Sequence, residues 1–304
     1  MHIQPIYKER VWGGRSLETL YLRTLPDDSP YGESWDIVDR AEDVSVITTG
    51  PYRGKTLHEL WVNHREEVFG VNLPESERFP LLIKILDAQT DLSIQVHPPR
   101  AIAEKLGGEP KTEMWYIAEA SPGAKLYVGV KAGVTAESFE AAIKNGTVEE
   151  CVHSIEPQAG QSIHIESGRL HAIGAGLVIY EIQQNSDTTY RVYDWNRIGL
   201  DGKPRDLHIN ASMQCIDFTD IEPEMDTPNG NILADCPYYK VARYDSSTEL
   251  IMQKPDRFAI ISIISGSVKD EEGNLMSAGD MLLLPRDSDA LEVIEPVCYL
   301  ETTL

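Results

Sequence analysis

The most informative segment of the sequence is Asp91-Leu-Ser-Ile-Gln-Val-His-Pro-Pro99. Read as a β-strand, it sends alternate side chains to opposite faces. One face is apolar and the other polar: Leu92, Ile94 and Val96 against Ser93, Gln95 and His97. The β-branched residues favour an extended backbone, and the two prolines end the strand. A hydroxyl, an amide and an imidazole on one face are typical of a polar pocket, although a strand with a merely solvated face remains the alternative.

The charge of the chain limits its partners. Its 304 residues, enough for two domains or one large one, carry a net charge of −22. Such a surface repels the phosphates of nucleic acids and of anionic membranes, so we expect neither as a partner. An anionic small-molecule substrate would need a local cluster of basic residues.

Cysteine usage and hydropathy indicate the cellular compartment of the protein. The four cysteines lack the CxxC spacing of a thiolate metal site, which predicts free thiols in a reducing cytosol. No apolar run approaches the roughly 20 residues of a membrane-spanning helix, and Met-His-Ile-Gln-Pro at the N-terminus is unlike a signal peptide. We therefore expect a cytoplasmic protein, as a monomer or weak homo-oligomer.

The remaining pattern predicts a mainly β chain with a few peripheral helices. Short strands are separated by Gly, Pro and Asp turns, which indicates barrels or sandwiches. Helices are predicted over 56–69, 100–106 and 135–146. Residues 220–231, rich in proline and acids, form the best linker, which divides the chain into domains 1–225 and 226–304.

An internal similarity supports two related units. Gly160-Gln-Ser-Ile-His-Ile-Glu-Ser167 and Gly279-Asp-Met-Leu-Leu-Leu-Pro-Arg286 share a glycine turn, a polar residue and a short strand. The residue eleven positions beyond the first glycine is His171, and the equivalent in the second unit is Ala290. The simplest interpretation is two copies of one β-barrel unit, with polar chemistry in the first alone.

Candidate metal ligands lie on several strands of the first unit. Together Gln95, His97, Glu113 and His171 form a mixed nitrogen and oxygen set, which suits Zn²⁺ but also other divalent metals such as Fe²⁺, Co²⁺, Mn²⁺ or Ni²⁺. His164 is the rival of His171, because it also alternates correctly on its strand. A metal held by two neutral imidazoles and one carboxylate keeps net positive charge and is able to act as a Lewis acid.

Some charged residues need a partner or lie on the surface. Lys84 interrupts the apolar run Phe79–Leu86, and a buried lysine requires an ion pair or an anion. The sequence is compatible with Arg191 and Arg197 lying either in a pocket or on the surface. Lys254 and Lys269 are expected on solvated faces.

These blocks resemble the type I phosphomannose isomerase family. The similar segments occur in the family's order: Gly32-Glu-Ser-Trp-Asp36, Phe79 to Pro98, Lys111-Thr-Glu-Met-Trp-Tyr116, Leu170-His-Ala-Ile-Gly-Ala-Gly176 and Glu181 to Trp195. The resemblance spans roughly residues 5–215. The length is similar to the short bacterial form without a large helical insertion. One departure is Ser167-Gly-Arg169, where Arg169 is expected to alter the mouth of the pocket.

The resemblance implies two cupin (jelly-roll) barrels with the metal in the first. It implies one Zn²⁺ per chain on Gln95, His97, Glu113 and His171. It also implies Arg191 as the catalytic arginine and places Ser93, Lys84, Lys111 and Arg197 around the pocket. We assign substrate and phosphate binding to Ser93, Lys84 and Arg197. The C-terminal barrel is expected to be a degenerate cupin without metal.

The implied reaction interconverts mannose 6-phosphate and fructose 6-phosphate by proton transfer through a cis-enediol. It requires cationic stabilisation of the enediolate, a base and a phosphate-binding cluster. Glu181 is the candidate base, with Lys111 or a metal-bound water as alternatives, and Arg191 is assigned to the enediolate. The rival functions are another metal-dependent cupin enzyme, such as an oxygenase, and a non-catalytic sugar-phosphate-binding module.

Overall fold

The computed structural model describes residues 1–250 and 256–304, so Lys254, predicted on a solvated face, lies outside the described residues. Six α-helices occur in this part of the chain: α1 (Ser16–Thr19), α2 (Leu57–Asn63), α3 (Arg65–Phe69), α4 (Arg100–Ala103), α5 (Ala136–Asn145) and α6 (Ile209–Cys215). Two 3₁₀ helices cover Glu104–Leu106 and Val148–Cys151.

The fold is mainly β, as the sequence predicts. Twenty strands are found in the described residues: β1 (Ile3–Gln4), β2 (Ile6–Gly14), β3 (Tyr31–Ile37), β4 (Val46–Ile47), β5 (Leu81–Ala88), β6 (Ile94–Val96), β7 (Glu113–Ala120), β8 (Leu126–Val130), β9 (Val152–Ile155), β10 (Ser162–Ile165), β11 (His171–Ile173), β12 (Leu177–Gln184), β13 (Tyr190–Tyr193), β14 (Ile232–Asp235), β15 (Lys240–Ser246), β16 (Glu249–Leu250), β17 (Ala259–Lys269), β18 (Leu275–Ser277), β19 (Met281–Leu284) and β20 (Leu291–Thr303).

Two antiparallel sheets form the first unit. A six-stranded sheet has the order β10-β7-β12-β5-β3-β2, and a five-stranded sheet has the order β13-β6-β11-β8-β9. Apolar side chains from both sheets form one buried cluster between them, which includes Leu86, Ile117 and Ile179 from the first sheet and Val128 and Ile173 from the second. The first unit is therefore a sandwich with an interior shared by the two sheets.

The central strands of the six-stranded sheet are buried on both faces, which explains the near-continuous apolar sequence of β5 and β12. Its second face, with Ile83, Ile85 and Tyr180, packs on Ile260 and Leu283 of the C-terminal unit. Burying both faces removes the need for polar alternation, so such strands read as apolar runs. Tyr180 Oη also donates a hydrogen bond of 2.9 Å to the carbonyl of Ile263.

Helix α5 covers the outer face of the five-stranded sheet, where Phe139 packs among Ile94 and Val96. Thr135 caps the helix in a capping box with Ser138, and Gly146 in the left-handed conformation follows its last residue. The helix predicted over 135–146 is thus present, with a capping residue at each end. The predicted helix over 56–69 is instead two helices, because the backbone leaves the helical region at His64.

Strands β14 to β20 form a separate seven-stranded sheet, in which each strand begins after residue 231. Residues 217–231 contain no helix or strand. The domain boundary at 225/226 falls in this segment and stays a prediction. No helix in the described residues combines the length and apolar character needed to cross a bilayer.

The opening stretch forms a shorter strand than its alternation suggests, since β6 holds only three residues. Ile94 and Val96 pack against the outer helices as one apolar face. Leu92 was expected to share that face, but it packs between the two sheets. The alternation fails there because Leu92 precedes the regular strand.

Candidate active site

The strand register places the predicted polar residues in two rows that face each other across the sandwich. On the five-stranded sheet, Gln95 lies opposite His171 on one side and opposite Arg191 on the other. On the six-stranded sheet, Glu181 lies opposite Lys84 on one side and opposite Trp115 on the other. Residues directly opposite each other on adjacent strands are near neighbours, so each row brings distant parts of the sequence together.

Three side chains form a buried ligand cluster between the rows. Ligand atoms of His97, Glu113 and His171 all lie within 4.8 Å of one another. The Nε2 atoms of His97 and His171 each lie 3.6 Å from a different oxygen of the Glu113 carboxylate. All three side chains are at most 1% exposed. The structure thus brings together three of the four residues predicted as ligands, in a buried position.

Both imidazoles are held with Nε2 directed into the cluster. The Nδ1 of His97 donates to the carbonyl of Thr188, and the Nδ1 of His171 donates to the carbonyl of Arg169, each at 2.9 Å. A hydrogen bond of this kind fixes the tautomer and leaves a lone pair on Nε2. Burial, together with Lys111, lowers the pKa of His97 to about 4, and burial also lowers the pKa of His171. Both rings are therefore neutral at pH 7, as metal ligands must be.

Gln95 is the fourth predicted ligand and borders the cluster. Its Nε2 lies 3.3 Å from His171 Nε2, and its Oε1 accepts from Ser93 Oγ at 3.1 Å. A half-turn of the amide would present Oε1 to the cluster, and Ser93 Oγ would then accept from Nε2. Ser93 therefore supports Gln95 in either orientation, because a hydroxyl both donates and accepts.

The cluster fits a divalent metal ion. His97 Nε2 and Glu113 Oε1 are buried without hydrogen-bond partners in the protein. Unsatisfied buried acceptors are costly and call for a ligand. Two neutral imidazoles, a carboxylate and a neighbouring amide match the preferences of borderline divalent ions.

His164, the rival of His171, lies elsewhere. Its neighbours Ile163 and Ile165 face the interior of the sandwich. His164 points to the opposite side of β10, where Tyr239 Oη lies 3.5 Å from its Nδ1. The alternation of β10 is as predicted, but the polar residue is on its outer face. His164 is therefore no part of the cluster.

Two buried ion pairs adjoin the cluster. Lys111 Nζ lies 2.7 Å from Glu113 Oε2, and Lys84 Nζ lies 3.0 Å from Glu181 Oε1. Trp115 Nε1 donates to the second oxygen of Glu181 at 3.2 Å. The partner that the sequence required for Lys84 is thus Glu181. Burial alone would lower the pKa of Lys111, but Glu113 and Glu181 raise it above its usual value.

These groups line a cavity of about 820 Å³, which is large enough for a phosphorylated sugar. Of the predicted residues, seven lie on its wall: Lys84, Ser93, Gln95, Lys111, His171, Glu181 and Arg191. The ligands His97 and Glu113 lie behind that wall. Arg169, expected at the mouth, is not on the wall, because its guanidinium binds Asp220 and the carbonyl of His164.

The two predicted arginines differ in position. Arg191 NH1 donates to the carbonyl of Asp206 at 2.9 Å, and its Nε is buried without a partner. Arg197 is not on the cavity wall, since its guanidinium donates to Thr90 Oγ1 at 3.2 Å and to the carbonyl of Asp91. The structure therefore does not bring Arg197 to the site, and its phosphate-binding role stays a prediction that this geometry does not favour.

Sequence reasoning missed several residues of the cavity. Arg10 and Trp35 hold Glu33 on its wall, with Arg10 NH2 at 2.9 Å and Trp35 Nε1 at 2.6 Å from Glu33 Oε2. Burial would raise the pKa of Glu33, but Lys84 and Arg10 hold it at about 2. Arg205 and His208 also reach the cavity. Glu33 lies in the Gly32–Asp36 block that carries part of the family resemblance, whereas Arg205 lies in a loop without a sequence signal.

The second unit carries no equivalent centre in its described residues. Strand β19 corresponds to β10 in the internal similarity, and its side chains are all buried and apolar. In the parts of the chain that the structure describes, His97, Glu113 and His171 form the one group of three or more potential ligands of this type.

Comparisons with known proteins all find similarity to phosphomannose isomerases. The family model "Phosphomannose isomerase type I, catalytic domain" matches residues 1–116. The mannose-6-phosphate isomerase ManA of Bacillus subtilis is 37% identical over 298 residues, covering 94% of this chain and 92% of that protein. A mannose-6-phosphate isomerase of Streptococcus mutans is 35% identical over 297 residues, covering 94% and 92%.

Solved structures of mannose 6-phosphate isomerases have a similar fold. The crystal structure of the mannose 6-phosphate isomerase from Bacillus subtilis superposes with a TM-score of 0.89 at 31% identity, covering 100% of this chain and 99% of that one. A zinc-bound mannose 6-phosphate isomerase has a TM-score of 0.76 at 15% identity, covering 99% and 98%, and shows the shared fold.

Proposed function

The chain belongs to the type I phosphomannose isomerase family, and on that premise we propose that it interconverts mannose 6-phosphate and fructose 6-phosphate with the help of a metal. The observation that carries the proposal is the ligand cluster of His97, Glu113 and His171 at the wall of a cavity that also holds Glu181 and Arg191. A metal site, a carboxylate and an unpaired guanidinium are the groups that an aldose–ketose isomerisation needs.

We propose zinc as the metal, held by His97, Glu113, His171 and the Oε1 of Gln95. The support is the donor set, which lacks thiolates and is closed to solvent, and the neutral state of both imidazoles. When bound, such an ion supplies a Lewis acid that polarises a substrate oxygen. Ser93 is proposed to orient the Gln95 amide for this contact.

We propose Glu181 as the base that moves the proton between C2 and C1. Lys84 and Trp115 each contact one of its oxygens, and together they hold the carboxylate in one orientation. Lys84 is therefore better suited to holding Glu181 than to binding phosphate. Lys111 is a weaker candidate for the base, because the raised pKa keeps its amine protonated.

Arg191 is proposed to stabilise the charge of the enediolate. It lies opposite Gln95 in the strand register, and its buried Nε lacks a protein acceptor. A cation on the cavity wall is well placed to interact with charge that develops during the reaction. Arg191 is unable to act as the base, since a guanidinium stays protonated.

We further propose that residues 1–225 form the catalytic domain and 226–304 a domain without metal. A reducing compartment such as the cytoplasm is proposed from the four cysteines, which are all free thiols. The expected monomer or weak homo-oligomer stays a prediction.

The proposal is tested by incubating the metal-loaded protein with mannose 6-phosphate, with and without a chelator, and following fructose 6-phosphate. Arg191→Ala should lower kcat by about 100-fold or more while metal content stays near one per chain. His97→Ala should lose the metal and the activity together. Failure of the wild-type protein to form product would refute the isomerase, and full activity of Arg191→Ala would refute the role of that arginine.

A further inference from the structure

Two segments outside the helices and strands run side by side next to the ligand cluster. Residues 107–112 lead into β7, whose first residue is the ligand Glu113, and residues 185–189 connect β12 to β13. The paired register of β7 and β12 ends at Glu113 and Gln183. Beyond this point, the positions of the two segments depend on side-chain contacts between them.

Three hydroxyl groups bind the second segment to the backbone of the first, and they occur at every second residue. Ser186 Oγ donates to the carbonyl of Glu109 at 3.1 Å, and Thr188 Oγ1 accepts from Glu109 N at 2.9 Å. Tyr190 Oη donates to the carbonyl of Leu106 at 2.9 Å. Alternate residues of an extended chain point to the same side, so Ser186, Thr188 and Tyr190 form a hydroxyl ladder along one side of the segment.

The other side of the same segment faces the cavity. Asp187, Thr189 and Arg191 all lie on the cavity wall. The chain therefore stands between the cavity and residues 106–109. Contacts on its hydroxyl side fix the backbone whose other side chains line the cavity.

The backbone of this segment also orients the ligand His97. The carbonyl of Thr188 accepts from His97 Nδ1 at 2.9 Å, which leaves Nε2 available to a metal. Thr188 N donates in turn to Ser186 Oγ at 3.2 Å. Ser186 and His97 are both buried, so the loss of one of these contacts would leave an unpaired polar group.

Gly108 permits the close approach of the two segments. A Cβ atom at this position would lie 2.6 Å from Thr188 Cγ2 and 2.7 Å from Tyr190 Oη. Both distances are shorter than van der Waals contact, so a larger residue would displace the hydroxyl ladder. The glycine is explained by this close packing of side chains on backbone.

We propose that the hydroxyl ladder positions His97 for metal binding, with Thr188 as its central member. Its members are positioning residues, because they act through the backbone carbonyl that orients the imidazole. The inference rests on the proposed function, since it concerns the site proposed to hold zinc. When the hydroxyl of Thr188 is removed, its carbonyl should move, and the ring of His97 should lose the contact that keeps its proton on Nδ1.

The test compares Thr188→Val with Thr188→Ser. Valine keeps the shape of threonine and removes the acceptor for Glu109 N, whereas serine keeps the hydroxyl. Zinc affinity is measured by competition with a chromophoric chelator. It should fall by about tenfold or more in Thr188→Val and by less than about threefold in Thr188→Ser. The matched control is Thr19→Val, which removes an exposed hydroxyl that donates to the carbonyl of Arg15 on α1, and it should leave zinc affinity unchanged.

Nitrogen NMR of the metal-free protein with isotope-labelled histidine provides a readout that needs neither zinc nor activity. His97 should carry its proton on Nδ1 in the wild type and in Thr188→Ser, and it should populate both tautomers in Thr188→Val. Its resonances are identified by their loss in His97→Gln. A hydroxyl that only stabilised the fold would change the free energy of unfolding and leave this tautomer as it is.

Two results would overturn the proposal. One is a Thr188→Val variant with the zinc affinity and the His97 tautomer of the wild type, and the other is an equal loss in Thr188→Val and Thr188→Ser. If Thr188→Val does not fold, Ser186→Ala takes its place, because it removes the acceptor of Thr188 N. Ser186→Ala should also weaken zinc binding by about tenfold, and an unchanged affinity there would count equally against the ladder.

The outcomes also separate this proposal from the proposed function. If the wild-type protein fails to isomerise mannose 6-phosphate but the variants change zinc affinity and tautomer as expected, the proposed function fails and the ladder stands. If the wild-type protein isomerises the sugar phosphate and the variants bind zinc as it does, the ladder fails and the proposed function stands.

Discussion

His97 shows how a single buried side chain makes the protein sensitive to pH. Its ring is fully buried, and its pKa falls from about 6.5 in an exposed state to about 4 in the folded protein. The folded state therefore binds fewer protons than the unfolded state between these values. The stabilisation is complete above about pH 6.5 and is lost as the pH falls towards 4.

We predict that the metal-free protein loses on the order of 2 kcal/mol of unfolding free energy through His97 between pH 7 and pH 5. The measurement is urea unfolding of the chelator-treated wild type and of His97→Gln, which has no titrating ring. The stability difference between the two proteins should shrink at pH 5. A difference that is the same at both pH values would contradict the assignment.

The polar face of the opening stretch was predictable at the scale of residues, because alternation depends only on neighbouring positions. Gln95 and His97 reach the site from one strand for this reason. The pairing of Lys84 with Glu181 was not predictable, since it depends on the register between β5 and β12, which lie about a hundred residues apart. Arg205 has no periodic signal at all, and only the folded loop reveals its position.

At the scale of elements, the turn before β11 links the metal centre to the segment that follows α6. Arg169 binds Asp220 with two nitrogens at 2.8 and 3.0 Å, and its own carbonyl orients His171. The side chain thus anchors the turn whose backbone fixes a ligand. This contact gives Arg169 a role other than the one expected for it at the mouth of the pocket.

Arg169→Ala should weaken metal binding by about tenfold, because the carbonyl acceptor of His171 loses its anchor. Competition with a chromophoric chelator measures the affinity. Asp220→Asn should give a similar loss, whereas Lys144→Ala, which breaks an exposed ion pair with Glu140 on α5, should give none. An unchanged metal affinity in Arg169→Ala, even with lower thermal stability, would show that the turn does not depend on this pair.

At the scale of the whole molecule, the two units are not independent. The outer face of the six-stranded sheet packs on the C-terminal unit through a single large apolar cluster, which includes Ile83, Ile85, Ile182, Leu283 and Leu300. The sequence predicted a linker and two barrels, but it gave no sign that one sheet serves both cores. Apolar runs such as β5 indicate burial on both faces without identifying what covers the second one.

A fragment of residues 1–225 should therefore fail to fold as a stable monomer. Removing the C-terminal unit exposes one face of the six-stranded sheet, and an apolar surface of that size favours aggregation. Circular dichroism and size-exclusion chromatography of the fragment provide the measurement, with the full chain as the control. A soluble monomeric fragment with a cooperative unfolding transition would contradict this prediction.

The sheet shared by both cores also determines which parts of the chain unfold locally. The amide groups of β5 and β12 lie at the centre of a six-stranded sheet that is covered on both faces, whereas the loop at 198–206 is mostly exposed. Hydrogen exchange at the central strands should then require global unfolding, and exchange at the loop should not. Glu181 on β12 and the loop at 198–206 should therefore lie at opposite ends of this range of opening free energies, although both line the same cavity.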